Sequence, residues 1–328
     1  MKKFGIVALV VVIALIGGIV WYTNQGPDVK SSSELEKQEQ KYDEYANQEV
    51  IVSAVKAKEI IENEDNVAII DIRRSAQYIL GHIPEAVNVW RPDYSADEGE
   101  YPFGGMRCSK EKMEELLGSL GIDNETFILL YDGKGDYDAA RFWWQLDMYG
   151  HDKVALIDGG IDGWKAAGFE LTIDEPEVTA KEYKFKGETD LSKLATLEDV
   201  KKAMEDPNVV ILDTRSIEEF TGETLKKGAY RKGRIPGSVW IEYKEAINVA
   251  EGEDKTFKTV EELRKIYEAK GITPDKTIIP YCQSAVRSAH TTFVLTQLLG
   301  YENVKNYDGS WIEWSYHEDL PLETGEAK

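Results

Sequence analysis

Cysteine is close to absent from this sequence: Cys108 and Cys282 are the only two in 328 residues. Outside the cytoplasm a pair of cysteines invites a disulfide, but a Cys108–Cys282 bridge would silence a reactive thiol. Histidine is almost as scarce. His82, His151, His290 and His317 are scattered without metal-ligand spacing, so no metal is expected and they read as core or turn residues, His82 in a structural turn. Positive charge is in deficit too, with Lys plus Arg at 39 against 60 Asp plus Glu and a net charge of −21. Such a surface serves solubility and repels phosphate backbones, which argues against a nucleic-acid partner. Nor does Gly133-Lys134-Gly135 complete any phosphate-binding motif.

A stretch without one charged side chain and mostly apolar runs from Phe4 to Tyr22, behind Met1-Lys2-Lys3. It is long enough to span a bilayer as a helix. No Ala-x-Ala cleavage site precedes Asn24, and no cysteine lies nearby for lipoprotein processing, so residues 1–23 are expected to be an uncleaved membrane anchor rather than a signal peptide. With Lys2 and Lys3 held on the cytoplasmic side, everything after Tyr22 is expected outside the cytoplasm, anchored or otherwise secreted. Residues 24–48 are polar, with Ser31-Ser32-Ser33 and no sustained apolar stripe, and are expected to be a tether containing a short exposed helix.

Beyond the tether the apolar content, 42% overall, suffices for ordinary cores, and the length suggests about two domains. The chain repeats itself. Val67-Ala68-Ile69-Ile70-Asp71-Ile72-Arg73 matches Val209-Val210-Ile211-Leu212-Asp213-Thr214-Arg215, each a buried-strand pattern ending in Asp-x-Arg. Gly81-His82-Ile83-Pro84 matches Gly233-Arg234-Ile235-Pro236 as a turn before a short strand. Gly121 and Gly271 end equivalent helices, Tyr131-Asp132 matches Tyr281-Cys282, and Asp158-Gly159-Gly160 matches Asp308-Gly309-Ser310. The last three pairings share an offset of 150, which predicts an ungapped alignment of the C-terminal parts. Thr196 and Thr259 open helical patterns as capping residues. Strands alternating with helices imply two α/β domains, 49–175 and 176–328, each a mainly parallel sheet flanked by helices.

Ligands in such sheets bind beyond the carboxyl ends of strands, and Cys282 lies at one. Thr277-Ile278-Ile279-Pro280-Tyr281-Cys282-Gln283-Ser284-Ala285-Val286-Arg287-Ser288 reads as strand, tight loop, helix. Loop N–H groups and the helix N-terminus favour thiolate there, and Arg287 could lower the thiol pKa further and hold an anion. Cys108 aligns with Lys258, on the same sheet edge as that loop, so contact between the two cysteines stays open. Phe142-Trp143-Trp144 reads as core packing on a helix; Trp311 and Trp314 read as packing near a strand end.

These motifs carry a resemblance. Residues from about Glu49 to Glu323 resemble a two-domain rhodanese-type sulfurtransferase of the thiosulfate and 3-mercaptopyruvate type. Tyr78 to Ala86 is similar to the family's N-terminal signature, with Glu85 where glycine is usual, and Val304 to Trp314 to its C-terminal signature. The resemblance implies tandem domains with the nucleophile only in the second, Asp132 marking the silent counterpart and the silent half walling the substrate cleft. It associates Arg215 with substrate-anion binding; a structural ion pair is the other reading of that residue.

The implied chemistry moves a sulfane sulfur from a small anionic donor to a thiol, cyanide or protein acceptor through a persulfide on Cys282, stabilised by N–H groups from Gln283, Ser284, Ala285, Val286 and Arg287 without cofactor. The loop departs from both common patterns, Cys-Arg-Lys-Gly-Val-Thr and Cys-Gly-Ser-Gly-Val-Thr, so the donor stays open. Two other readings are a non-catalytic binding or redox-sensor module at the membrane surface and a phosphatase of the same fold. A phosphatase loop needs five residues between cysteine and arginine; here there are four.

Overall fold

The computed structural model describes residues 26–326. The expected anchor over residues 1–23 lies outside the described residues, and among these no helix is long and apolar enough to cross a membrane. Strands β1 (Ile51–Val52), β2 (Val67–Asp71), β3 (Ala86–Asn88), β4 (Phe127–Tyr131) and β5 (Val154–Ile157) form one sheet in the order β1-β5-β4-β2-β3. Every pairing in it is parallel, for example Ile70 opposite Leu130. Runs such as Phe127-Ile128-Leu129-Leu130-Tyr131 are apolar at every position because helices cover both faces.

The second half repeats the plan. β8 (Val239–Trp240), β7 (Val209–Asp213) and β9 (Thr277–Tyr281) pair in that order, and β10 (Asn306–Tyr307) pairs with β6 (Leu194–Ala195), all in parallel. Backbone bonds Ile278 N–H to Asn303 (2.8 Å) and Lys305 N–H to Ile278 (2.9 Å) join the two pieces. The resulting order, β6-β10-β9-β7-β8, is that of the first sheet. Thr196 and Thr259 cap their helices by accepting from Asp199 and Glu262 N–H, as the sequence predicts. Glu85 sits at φ 65°, in the left-handed region where its counterpart Gly237 has φ 73°.

The ungapped alignment does not hold through the functional loops. The residue before each following helix is left-handed: Asp136 in the first half (φ 67°) and Ala285 in the second (φ 56°). Their offset is 149, so the first loop is one residue longer. The helix Tyr137–Tyr149 is regular to its C-terminal Gly150, whereas Val286–Phe293 runs into a π-turn, Val294–Leu298, closed by Leu299 N–H to Val294 at 3.0 Å. A π-turn takes up one extra residue. By Gly150 and Gly300 the offset is again 150.

These two helices face each other across the domain interface, with Trp143 edge-on to Phe293 at 4.9 Å and Tyr137 to Tyr243 at 5.3 Å. Phe142, Trp143 and Trp144 are all buried, so the aromatic cluster is core, shared between domains. The repeat-related aspartates latch the halves. Asp308 receives Arg141 (2.5 Å) and Arg107 (3.3 Å) from the first domain, and Asp158 receives the N–H of Phe257 (2.8 Å) from the second.

The expected tether is a packed strap from Lys30 onward. Its helix Ser32–Glu39 buries no residue, as expected, but Lys41, Tyr42 and Tyr45 are buried. Lys41 pairs with Asp158 (2.7 Å) and donates to the Phe257 carbonyl, Tyr42 donates to Asp158 (2.9 Å), and Lys30 pairs with Asp254. Polar composition hid this because the strap is held by charge pairing at single positions, which leaves no apolar periodicity.

Candidate active site

Strand β9 delivers Cys282 to the base of the interdomain cleft, where only 1% of it is exposed. The turn behind it is braced by the helix Ser310–Tyr316: Trp311 N–H donates to the Cys282 carbonyl (2.9 Å) and Ile312 N–H to that of Gln283 (3.0 Å). Ser310 Oγ accepts the N–H groups of Cys282 (3.2 Å) and Ala285 (3.0 Å) and donates to Tyr307 (2.8 Å). Ser310 holds this position at φ 50°, costly for a residue with a Cβ, where the first half has Gly160 at φ 55°. A side chain at Gly160 would put its Cβ 2.2 Å from the Asp132 carbonyl oxygen.

Burial pushes the Cys282 thiol up, but the Arg287 guanidinium and the N–H groups of Ser288 and Ser284 outweigh it, leaving the pKa below that of an ordinary thiol. The expectation that every N–H from Gln283 to Arg287 serves the sulfur is thus narrowed, since Ser310 takes that of Ala285. Arg287 itself is fixed in a fork with Glu219 (2.6 and 2.9 Å). Burial raises the Glu219 pKa, yet Arg287 and Lys226 hold it down at about 2.

Cys282, Gln283, Ser284, Val286 and Arg287 line one cleft of about 370 Å³. Ala285 is buried behind them. Across it stand Arg74, Trp90, Arg91, Lys134 and Tyr137 of the first domain, so the first half does supply a wall. Asp132, the counterpart of Cys282, is buried in its own loop and accepts N–H groups of Lys134 (2.6 Å), Asp136 (3.0 Å) and Asp138 (2.7 Å). Its carboxylate fills the nest that a sulfur would need.

Two expectations are corrected. Arg215 does not line the cleft: it is 1% exposed and spends its donors on Asp213 (2.6 to 3.1 Å) and the Gly233 carbonyl (2.9 Å). Arg73 makes the same bonds to Asp71 and Gly81 in the first half, so the arginine of Asp-x-Arg is a structural ion pair in both. Cys108 is free, buried against Gln145, and pushed up to about 12 by burial; Cys282 is free as well. Trp311 and Trp314 are on the bracing helix rather than at a strand end, with indole N–H groups on Arg231 and Pro321 carbonyls. His82 does form a turn, stacked on Tyr78 at 3.8 Å.

Sequence reasoning missed Glu219, Ser310 and the cations of the silent wall. For Ser310 a signal existed: within the repeat, it is the serine where the first half has glycine.

Comparison with known proteins finds the rhodanese-like domain twice, over residues 53–167 and 196–317. A protein of Saccharopolyspora erythraea named "Putative thiosulfate sulfurtransferase" is 37% identical over 286 residues, covering 85% of this chain and 97% of that one. A Thermus thermophilus protein named "Sulfur carrier protein TtuD" is 36% identical over 293 residues, covering 86% and 99%. Among solved structures, an anaerobic ergothioneine biosynthesis enzyme from Chlorobium limicola superposes with a TM-score of 0.76 at 24% identity, over 86% of this chain and 72% of that one, a likeness of fold alone.

Proposed function

The chain belongs to the rhodanese-like family, with two copies of its domain, and from that premise we propose that it is a sulfurtransferase using Cys282 as its only nucleophile. The observation that carries this is a buried thiol of lowered pKa at the base of a cleft lined by Arg287, Lys226 and Lys244 on its own domain. Thiosulfate, the substrate in the names of several relatives, is the donor we favour over 3-mercaptopyruvate. The Cys282 thiolate attacks the outer sulfur. A Cys–S–S bond forms while the donor's S–S bond breaks, its electron pair leaving with sulfite. An acceptor thiolate then takes the outer sulfur and the electron pair returns to Cys282. The lowered thiol pKa enlarges the thiolate fraction that attacks, so less is asked of a general base.

The anionic terminal sulfur of the persulfide is held by the loop N–H groups and Arg287. A phosphatase reading has less support, since four residues between Cys282 and Arg287 make a tighter nest than phosphate requires. We further propose that residues 1–23 anchor the enzyme with its cleft outside the cytoplasm, a reading that membrane fractionation and protease protection of whole cells would test.

The decisive experiment incubates the full chain with thiosulfate or 3-mercaptopyruvate and measures intact mass. One added sulfur on the Cys282 peptide, absent in Cys282→Ser, is expected. No adduct with either donor, or equal turnover by Cys282→Ser, would overturn the mechanism.

A further inference from the structure

In a chain with 60 acidic and 39 basic residues, the cleft gathers six cations against two carboxylates. The two walls treat their cations differently. On the Cys282 side each is paired: Arg287 at 2.6 Å and Lys226 at 3.7 Å share Glu219, and Lys244 meets Glu242 at 3.3 Å. On the silent side Arg91 shares Asp138 (2.6 Å), while Arg74 and Lys134 form no ion pair among the described residues.

Aromatic rings hold these silent-side cations in place. The Arg74 and Arg91 guanidinium groups lie 5.4 and 5.2 Å from the Trp90 ring, and Arg91 and Lys134 each lie 5.7 Å from the Tyr137 ring. The rings fix Arg74, Arg91 and Lys134 in one band without neutralising them. The two cations without an ion-pair partner therefore stand across the cleft from the sulfur. A compact donor such as thiosulfate carries its charge within a bond or two of the attacked sulfur, where Arg287 and Lys226 meet it. At about 370 Å³ the cleft is within the range of pockets for larger small molecules.

We propose that the Arg74–Trp90–Arg91–Tyr137–Lys134 band is a subsite for the carboxylates of the acceptor, a small thiol bearing at least two of them. This rests on the sulfurtransferase reading for its chemistry, though not for its binding. With the carboxylates on the band, the acceptor's sulfur faces Cys282 and takes the outer persulfide sulfur, the Cys282 thiolate leaving.

The test has two arms. In the first, the unloaded full chain is titrated calorimetrically with methylthiosuccinate, a dicarboxylate thioether that cannot react, and with neutral methylthioethanol. The dicarboxylate should bind in a salt-sensitive way, and Arg74→Gln with Lys134→Gln should weaken it about tenfold while leaving the neutral probe unaffected. Equal affinity in wild type and double variant overturns the proposal. In the second, persulfide loading by thiosulfate and discharge by mercaptosuccinate are timed separately. The ratio of discharge to loading should fall about tenfold in the double variant. A drop confined to loading would assign the band to the donor instead and overturn the acceptor role. If no donor loads Cys282, the sulfurtransferase reading fails, and the titration still decides the subsite.

Discussion

Ser310→Ala removes the one acceptor shared by the N–H groups of Cys282 and Ala285, which lie 3.2 and 3.0 Å from its hydroxyl. A buried donor left unsatisfied costs about 1–3 kcal/mol, so the pair should cost roughly 2–6 kcal/mol where no water replaces the hydroxyl. At about 2–4 °C of melting temperature per kcal/mol for a domain of this size, the loss is easily measured. Ser310→Gly deletes the same bonds but is free at φ 50°, and should recover about 1 kcal/mol.

The two variants must therefore differ in stability while sharing one defect in chemistry. With the turn loosened, the N–H of Ser284 no longer addresses the sulfur squarely, and the Cys282 pKa should rise. The assay is the pH dependence of Cys282 alkylation by iodoacetamide, followed by peptide mass, beside thermal melts of wild type and both variants. The midpoint should shift upward equally for alanine and glycine. If it stays at the wild-type value, or if glycine restores it along with the melting temperature, the hydroxyl does not organise the thiolate and the argument fails.

Other expectations follow from the same contacts. Arg287→Met leaves the buried Glu219 carboxylate with only the more distant Lys226 and should destabilise in a chemical melt, with the alkylation midpoint of Cys282 rising; Glu219→Gln should move that midpoint down. Because Glu219 titrates at about 2 in the folded protein and near 4.3 in an unfolded chain, its pairing stabilises fully above about pH 4.3 and is lost as pH falls toward 2; Glu219→Gln should flatten that part of the acid-denaturation curve. Lys41→Met leaves Asp158 buried without its cation and should lower the melting temperature, whereas Lys56→Met, whose partner Glu59 is exposed, should not. Native Ellman titration should count one reactive thiol and unfolded protein two, since Cys282 lines the cleft with its pKa lowered while the Cys108 thiol is pushed up to about 12; two in the native state would refute this.

The strands and the repeat were legible because apolar runs and Asp-x-Arg elements are local patterns, and a parallel sheet buried on both faces leaves no polar positions to blur them. Cys282 and Arg287 were legible for a similar reason, lying in one short segment. Glu219 was not, because it reaches Arg287 across 68 residues and its own segment, Ile217–Thr221, reads as an exposed acidic turn. Arg215 misled because a conspicuous arginine beside a strand end says nothing about which way its guanidinium turns; only the matching bonds of Arg73 in the other half settle it. The one-residue difference between the loops escaped a comparison anchored on strands, since the π-turn at Val294–Leu298 cancels it before β10 begins.

That cancellation sets terms for anyone wishing to awaken the first half. Replacing Asp132 by cysteine alone would hang a sulfur in a ring one residue too wide, with its nearest donors spaced for two carboxylate oxygens. The chain carries its own recipe for conversion: shorten Gly133–Asp136 by one residue and return that residue to the helix Tyr137–Tyr149 before Gly150. Loop size is thereby uncoupled from strand register, and two loops of different length can share one scaffold at the cost of a single helical bulge.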